Sequence, residues 1–215
     1  MAAPDFYDAD YFLRGQETGK SLYTDYRWLP DLTIPMAKAI AAHLGMRRND
    51  TVMDFGCARG YLVRALQHLG YIAHGYDSSQ WVIDHCDPLV ASHVSTTWDN
   101  HQVFDWVIAK DVLEHLDFLA LQPTLRQLAA AARNGLFIVV PLAPTFGQPY
   151  TVPEYDKDPT HSIRMDLHEW VNQLEYTLGH RDWTFEYGYR VAGVKDNYYL
   201  THPEGNGFLT ARRLS

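Results

Sequence analysis

Apolar residues fall along the chain in blocks of two kinds. Short runs bounded by turn residues, "TVMDF" from Thr51, "YIAHGYD" from Tyr71, "FDWVIAK" from Phe104 and "GLFIVVP" from Gly135, have the length of strands and almost no polar face. Strands buried on both sides read that way. Between them lie segments with helical spacing: "IPMAKAIAAHLGM" with Pro35 in its first turn and Gly45 as its stop, "GYLVRALQHLG" closed by Gly70, "SSQWVIDHC", "DVLEHL" and "TLRQLAAAARN". "HVSTTW" reads as a weaker strand. Strands that alternate with helices imply right-handed crossovers and a mainly parallel sheet covered on both faces, an α/β doubly wound architecture.

The last third changes character. "LAPTFGQPYTVPEYDKDPT" is rich in proline and turn residues and reads as a long loop, a length that inside compact domains usually serves function or is disordered. "MDLHEWVNQLEYTLG" then reads as an amphipathic helix capped by Gly179, and "DWTFEYGYRVAG" and "GFLTARRL" as an antiparallel pair at the sheet's end. The first 30 residues are dense in aromatics without a sustained period, and read as an extended or partly helical arm ended by Pro30.

Composition narrows the function. The 215 residues suit one domain, and 47% hydrophobic against 20% charged residues is enough for a real core. A formal net charge of -8 argues against a protein that lives on phosphate backbones. Cys57 and Cys86 form neither a disulfide framework nor a CxxC site. The N-terminus lacks the basic-then-apolar order of a signal peptide, and no apolar stretch approaches a membrane span. A cytoplasmic protein with no DNA and no membrane partner is expected. Eleven histidines include no HExxH spacing, so no metal is expected.

In an open parallel sheet, ligands bind beyond the carboxyl ends of the strands. The turn after the first strand, "DFGCARG" from Asp54 to Gly60, sits there. Ala58 occupies the place of the second glycine in the dinucleotide fingerprint, which disfavours a nicotinamide-dependent oxidoreductase. The stretch resembles the Asp-x-Gly-x-x-x-Gly signature of class I S-adenosylmethionine-dependent methyltransferases. "AHGYDSS" resembles their second-strand motif, "FDWVIAKDVLEHL" the fourth-strand motif of the small-molecule branch, and "GLFIVVP" the fifth strand. Order and spacing agree from about residue 50 to 142.

That resemblance implies a Rossmann-like methyltransferase fold: a mainly parallel seven-stranded sheet with an antiparallel terminal strand. It implies a single domain over 1–215, with an aromatic arm or lid at 1–33, a cofactor-binding core at 34–142, a substrate loop at 143–166, and a helix and terminal hairpin at 167–215. Asp54, Gly56, Cys57 and Gly60 would line the methionine end of S-adenosyl-L-methionine, and Asp77 its ribose. Ser78 and Trp81 would lie beside the ribose or adenine, and Trp98 and Asp99 near the adenine. Lys110, where the family commonly has a small or uncharged residue, would contact the cofactor carboxylate or an anionic substrate, with Asp111 beside it. Tyr23, Tyr26 and Arg27 (with Trp28) would close the site from the arm.

Plainer readings stand beside these. Asp77 with Ser78 can cap the following helix. Gly56 and Gly60 can serve tight packing, and Cys57 can be a small turn residue. Phe6, Tyr7 and Phe12 read as packing residues. Glu114 and His115 read equally as a solvated helix face or as part of a site. In the loop, "KDPTHSIRMDLHEW" offers His161 as a catalytic base, with Arg164 and His168 as secondary candidates; His161 can instead brace the loop. The expected activity is methyl transfer, leaving S-adenosyl-L-homocysteine, to an O or N atom of a small molecule or carbohydrate-bearing metabolite. The alternatives are a non-catalytic binding module of the same fold and an RNA or cap methyltransferase.

Overall fold

The computed structural model describes residues 3–99 and 101–214. Its strands are β1 (Thr51–Phe55), β2 (Ile72–Tyr76), β3 (Val94–Ser95), β4 (Phe104–Lys110), β5 (Ala132–Pro141), β6 (Trp183–Gly188) and β7 (Asn206–Arg213). They form one sheet of order β3-β2-β1-β4-β5-β7-β6. The first five run parallel, and β7 is antiparallel to both β5 and β6. This is the seven-stranded mixed sheet of the Rossmann-like methyltransferase fold.

Successive side chains of a strand face opposite ways, and here both faces are apolar. Val52, Ile108, Phe137, Val139 and Phe208 pack under α3 (Pro30–Leu44) and α4 (Tyr61–His68) through Ile40, Leu44, Val63 and Leu66. Met53, Val107, Leu136, Ile138 and Leu209 pack under α6 (Phe118–Ala131) and α7 (Leu167–Leu178) through Leu125, Leu128, Trp170 and Leu174. The apolar runs are continuous because each must fill two cores. The arm forms two single-turn helices, α1 (Ala9–Phe12) and α2 (Gly15–Thr18), and packs on α5 (Gln80–Asp84) through Phe12 and Val82.

Several elements differ from the sequence expectation. Helix α3 starts at Pro30, so Pro35 lies inside it; the carbonyl left without a donor belongs to exposed Asp31, where water can serve it. "DVLEHL" is not a helix: Asp111 adopts a left-handed φ of 55°, and only Leu113–His115 form a 3-10 turn. Helix α6 begins at Phe118 and passes into β5 at Ala132 without a loop, which puts Arg133 and Asn134 in the strand. β3 has two residues and α5 five, shorter than their sequence runs. α8 (Asp196–Thr201), between β6 and β7, was not expected. The long loop carries a 3-10 turn at Pro153–Lys157, and Tyr150, Val152 and Tyr155 bury against Ala143. α7 starts with a reciprocal cap, Asp166 accepting from Glu169 N while the Glu169 carboxylate accepts from Asp166 N.

Candidate active site

The site begins where β1 stops. Gly56 N and Cys57 N both donate to the Tyr76 carbonyl, at 2.8 and 2.9 Å, which folds the turn back onto the end of β2. Gly56 has φ of 76°, and a Cβ there would lie 2.4 Å from Val112 Cγ2. Glycine is required by angle and by space. Ala58 also holds a left-handed φ, 46°, which costs an L residue about 1 kcal/mol or more. What holds it is Asp77: one carboxylate oxygen accepts from Ala58 N at 3.0 Å and the other from Ser79 N at 3.0 Å. The cap of α5 is Ser79, whose hydroxyl accepts from Val82 N and donates to the Tyr7 carbonyl at 2.7 Å. Burial raises the Asp77 carboxyl above its ordinary value, against the two amides that lower it.

Beyond this turn a cavity of about 220 Å³ opens at the carboxyl ends of β1, β2 and β4. Gly56, Ala58, Asp77 and Ser78 form one wall, and Tyr7, Tyr11, Phe12, Tyr23 and Tyr26 of the arm cover it. Lys110, Asp111, Val112, His115 and Leu116 close the third side.

Asp111 is the electrostatic hinge of that third side. Its two oxygens accept from Lys110 Nζ and Lys195 Nζ, each at 2.5 Å. The two ammonium groups hold its carboxyl well below the usual carboxylate range despite burial. Lys195 also donates to Tyr155 Oη at 3.0 Å and Asn206 Oδ1 at 2.9 Å. A non-glycine residue at φ 55° persists only when its surroundings over-determine it, and this clamp does so. Asp54 lies beneath the cavity floor, 4% exposed, and burial pushes it up to about 7, with Lys110 pulling the other way.

The loop after β5 returns to the same place. Ser162 N and Ile163 N both donate to the Glu114 carbonyl, at 2.8 and 3.0 Å, which sets His161 against His115 with ring centroids 4.6 Å apart. His115 Nδ1 meets Thr160 Oγ1 at 2.7 Å, and Thr160 Oγ1 donates to Asp158 Oδ1 at 2.5 Å. Because the hydroxyl proton is committed to the carboxylate, the His115 bond runs from Nδ1–H, which leaves Nε2 as a bare lone pair. Burial pushes His115 down to about 4 and lowers His161 as well, so both rings are neutral at physiological pH. Tyr11 Oη donates to Asp158 Oδ2 at 2.6 Å, tying the arm to the loop. Glu114, 1% exposed, is pushed up to about 8, chiefly by burial and then by Asp111.

The sequence candidates therefore divide. Tyr23, Tyr26, Gly56, Asp77, Ser78, Lys110 and Asp111 line the cavity. Asp54, Cys57 and Gly60 lie in or under the turn; a Cβ on Gly75 would meet Cys57 Sγ at 2.6 Å, so Cys57 is packed against β2. Trp81 stacks on Phe12 with ring planes 8° apart, outside the lining. Trp98 packs edge-on against Phe55 and Tyr76, and Asp99 is exposed and accepts from His101 N. Arg27 is exposed and paired with Asp25. Arg164 pairs with Asp156 at 3.1 Å over the Tyr150 ring, bracing the loop rather than reaching the cavity. His161 stands behind His115. The sequence reading missed Tyr11 and Lys195, and it assigned Tyr7 and Phe12 to packing although both line the cavity. For the arm residues, aromatic density was a usable signal; for Lys195 there was none, because its partner lies 84 residues away.

The comparisons with known proteins bear on the fold and the family. The family model described as a methyltransferase domain matches residues 32–185. No curated protein sequence matches the chain. Among solved structures, the 1,6-didemethyltoxoflavin-N1-methyltransferase of Burkholderia thailandensis, with 1,6-didemethyltoxoflavin and S-adenosylhomocysteine bound, superposes with a TM-score of 0.65 at 18% identity, covering 100% of this chain and 92% of that one. The plantazolicin methyltransferase BpumL, in complex with SAH, gives 0.61 at 15% identity over 86% and 84%. The [4+2]-cyclase SpnF gives 0.59 at 13% identity over 83% and 80%. At such identities the structural likeness carries the fold alone, whereas the family match spans most of the chain and contains the turn, Asp77 and the β4 end. The chain belongs to the methyltransferase-domain family.

Proposed function

We propose that the protein transfers a methyl group from S-adenosyl-L-methionine to an oxygen or nitrogen atom of a small molecule, releasing S-adenosyl-L-homocysteine. The observation that carries this reading is the position of Asp77. Its carboxylate bends back onto the left-handed turn after β1 at the wall of a cavity otherwise covered by tyrosines. Asp77, Ser78 and the backbone around Gly56 suit a ribose and an amino-acid end, and the arm's rings suit a sulfonium, because aromatic faces attract cations. The cyclase among the structural neighbours shows why fold alone does not settle activity.

The bound cofactor supplies an activated methyl group. The chain's residues have three tasks. The cavity would hold the acceptor atom beside the cofactor's activated methyl group, with Gly56, Asp77 and Ser78 on the cofactor's side and the arm's tyrosines over both. The arm excludes water. For a hydroxyl acceptor a proton must leave, and His115, which lines the cavity with its Nε2 unprotonated, is the base assigned to it; His161 packs against its ring. An amine acceptor can lose its proton after transfer.

Calorimetry with S-adenosylhomocysteine and NAD tests the reading. Micromolar binding of the first and none of the second is expected, with binding lost in Asp77→Ala. Undiminished uptake by that variant, or selective binding of NAD, would overturn it.

A further inference from the structure

Among the described residues, three buried polar atoms near His115 have no hydrogen bond, Tyr7 Oη among them. Glu114 Oε2 and His161 Nδ1 are both buried without a hydrogen bond. The Glu114 residue is 1% exposed and the His161 side chain 9%. An unpaired buried carboxyl oxygen is costly, and native proteins rarely retain one without a use. Here the two belong to one constellation: one ligand-capable atom each from Glu114, His115 and His161 lie within 4.8 Å of one another.

We propose that Glu114, His115 and His161 form a binding site for a borderline divalent cation of the zinc or cobalt class, bound through one carboxylate oxygen and two ring nitrogens. Two neutral imidazoles and a carboxylate are a donor set for first-row metals, and three protein ligands leave a coordination position free for an acceptor oxygen. The support around the ligands matches that use. His115 Nδ1–H is held by Thr160, which is held by Asp158, so the ring is oriented and its other nitrogen is free, as ligating histidines commonly are. The loop cannot drift, since Ser162 N and Ile163 N are bonded to the Glu114 carbonyl. Tetrahedral metal–ligand bonds of about 2.1 Å place donor atoms about 3.4 Å apart, so from the widest spacing of 4.8 Å they must draw together by about 1.4 Å, within reach of side-chain rotation. This deepens the methyl-transfer reading, in that a bound ion would anchor the acceptor and take up the His115 lone pair, which then no longer serves as the base for its proton; the site exists or fails without that reading.

The test uses the full chain, stripped with a chelator and titrated with Zn²⁺ by calorimetry and with Co²⁺ by optical spectroscopy, without methyl donor. One ion per chain is expected, with visible cobalt bands and no thiolate charge-transfer band. Glu114→Gln and His161→Gln should weaken binding at least tenfold. His74→Gln, which alters the separate His74–His93 pair, should leave it unchanged. The cobalt spectrum of the unmodified protein needs no variant, so a variant that fails to fold does not remove the test. Absence of binding by both ions, a thiolate band, or binding retained in both ligand variants would overturn the proposal. Binding of S-adenosylhomocysteine is measured separately, so failure of the cation site and failure of the methyl-donor reading are different results.

Discussion

Asp54 shows how a single side chain can report on its surroundings. Its folded pKa, about 7, lies above the ordinary 3.8 because burial penalises the charged form more than Lys110 repays. The folded state therefore holds a proton that the unfolded chain has lost, and stability contributed by that proton is fully present below about pH 4 and is lost as pH rises through 7. Asp54→Asn should raise the melting temperature at pH 8 by several degrees relative to the parent and change it little at pH 4; a uniform shift across that range would contradict this account. Asp77 has two roles that substitutions can separate. Asp77→Asn keeps one acceptor and gains a donor, so it should preserve most of the turn while weakening donor binding. Asp77→Ala removes the acceptors of Ala58 N and Ser79 N and should cost about 1–3 kcal/mol of stability as well, measured by chemical denaturation beside calorimetry.

At the scale of elements, the strands were the most legible part of the sequence. β1 and β4 begin and end where their apolar runs do, and the one aspartate inside each is accommodated near a strand end, Asp54 just before β1 stops and Asp105 bonded to Thr51 and Arg133. The piece after β4 was not legible. Leu113 and Leu116 have helical spacing, and only the Lys110–Asp111–Lys195 clamp, assembled from residues far apart in the chain, explains why the backbone turns left-handed instead. Lys195→Met should destabilise the protein by about 2–3 kcal/mol, below the 3–5 of a fully buried pair because Asp111 keeps some solvent contact. The loss should shrink at pH values low enough to protonate Asp111, as read from urea unfolding at two pH values. Gly56→Ala should cost at least about 2 kcal/mol, combining the left-handed angle with overlap on Val112; Val112→Ala alongside it should recover the overlap part only.

For the molecule as a whole, the order of strands brings three distant segments to one edge. The turn after β1, the turn after β4 and the loop after β5 meet there, and the arm lies across them. Motifs close to the strands could be placed from sequence because the sheet fixes where strand ends go. The arm could be placed over the site through Tyr23 and Tyr26, but how the arm and the loop lock together could not, since that depends on single bonds such as Tyr11 to Asp158, 147 residues apart. No helix among the described residues is long and apolar enough to cross a membrane. Tyr11→Phe should loosen the arm and speed release of S-adenosylhomocysteine several-fold, seen by stopped-flow displacement, and should lower the melting temperature by a few degrees because buried Asp158 loses a donor.

The near-parallel stacking of Trp81 on Phe12 gives that experiment its own optical gauge. An indole shielded by a ring of the arm becomes accessible to a collisional quencher when the arm swings out. Emission from Trp81, isolated by subtracting the spectrum of a Trp81→Phe variant, should therefore follow each opening in real time without any added label.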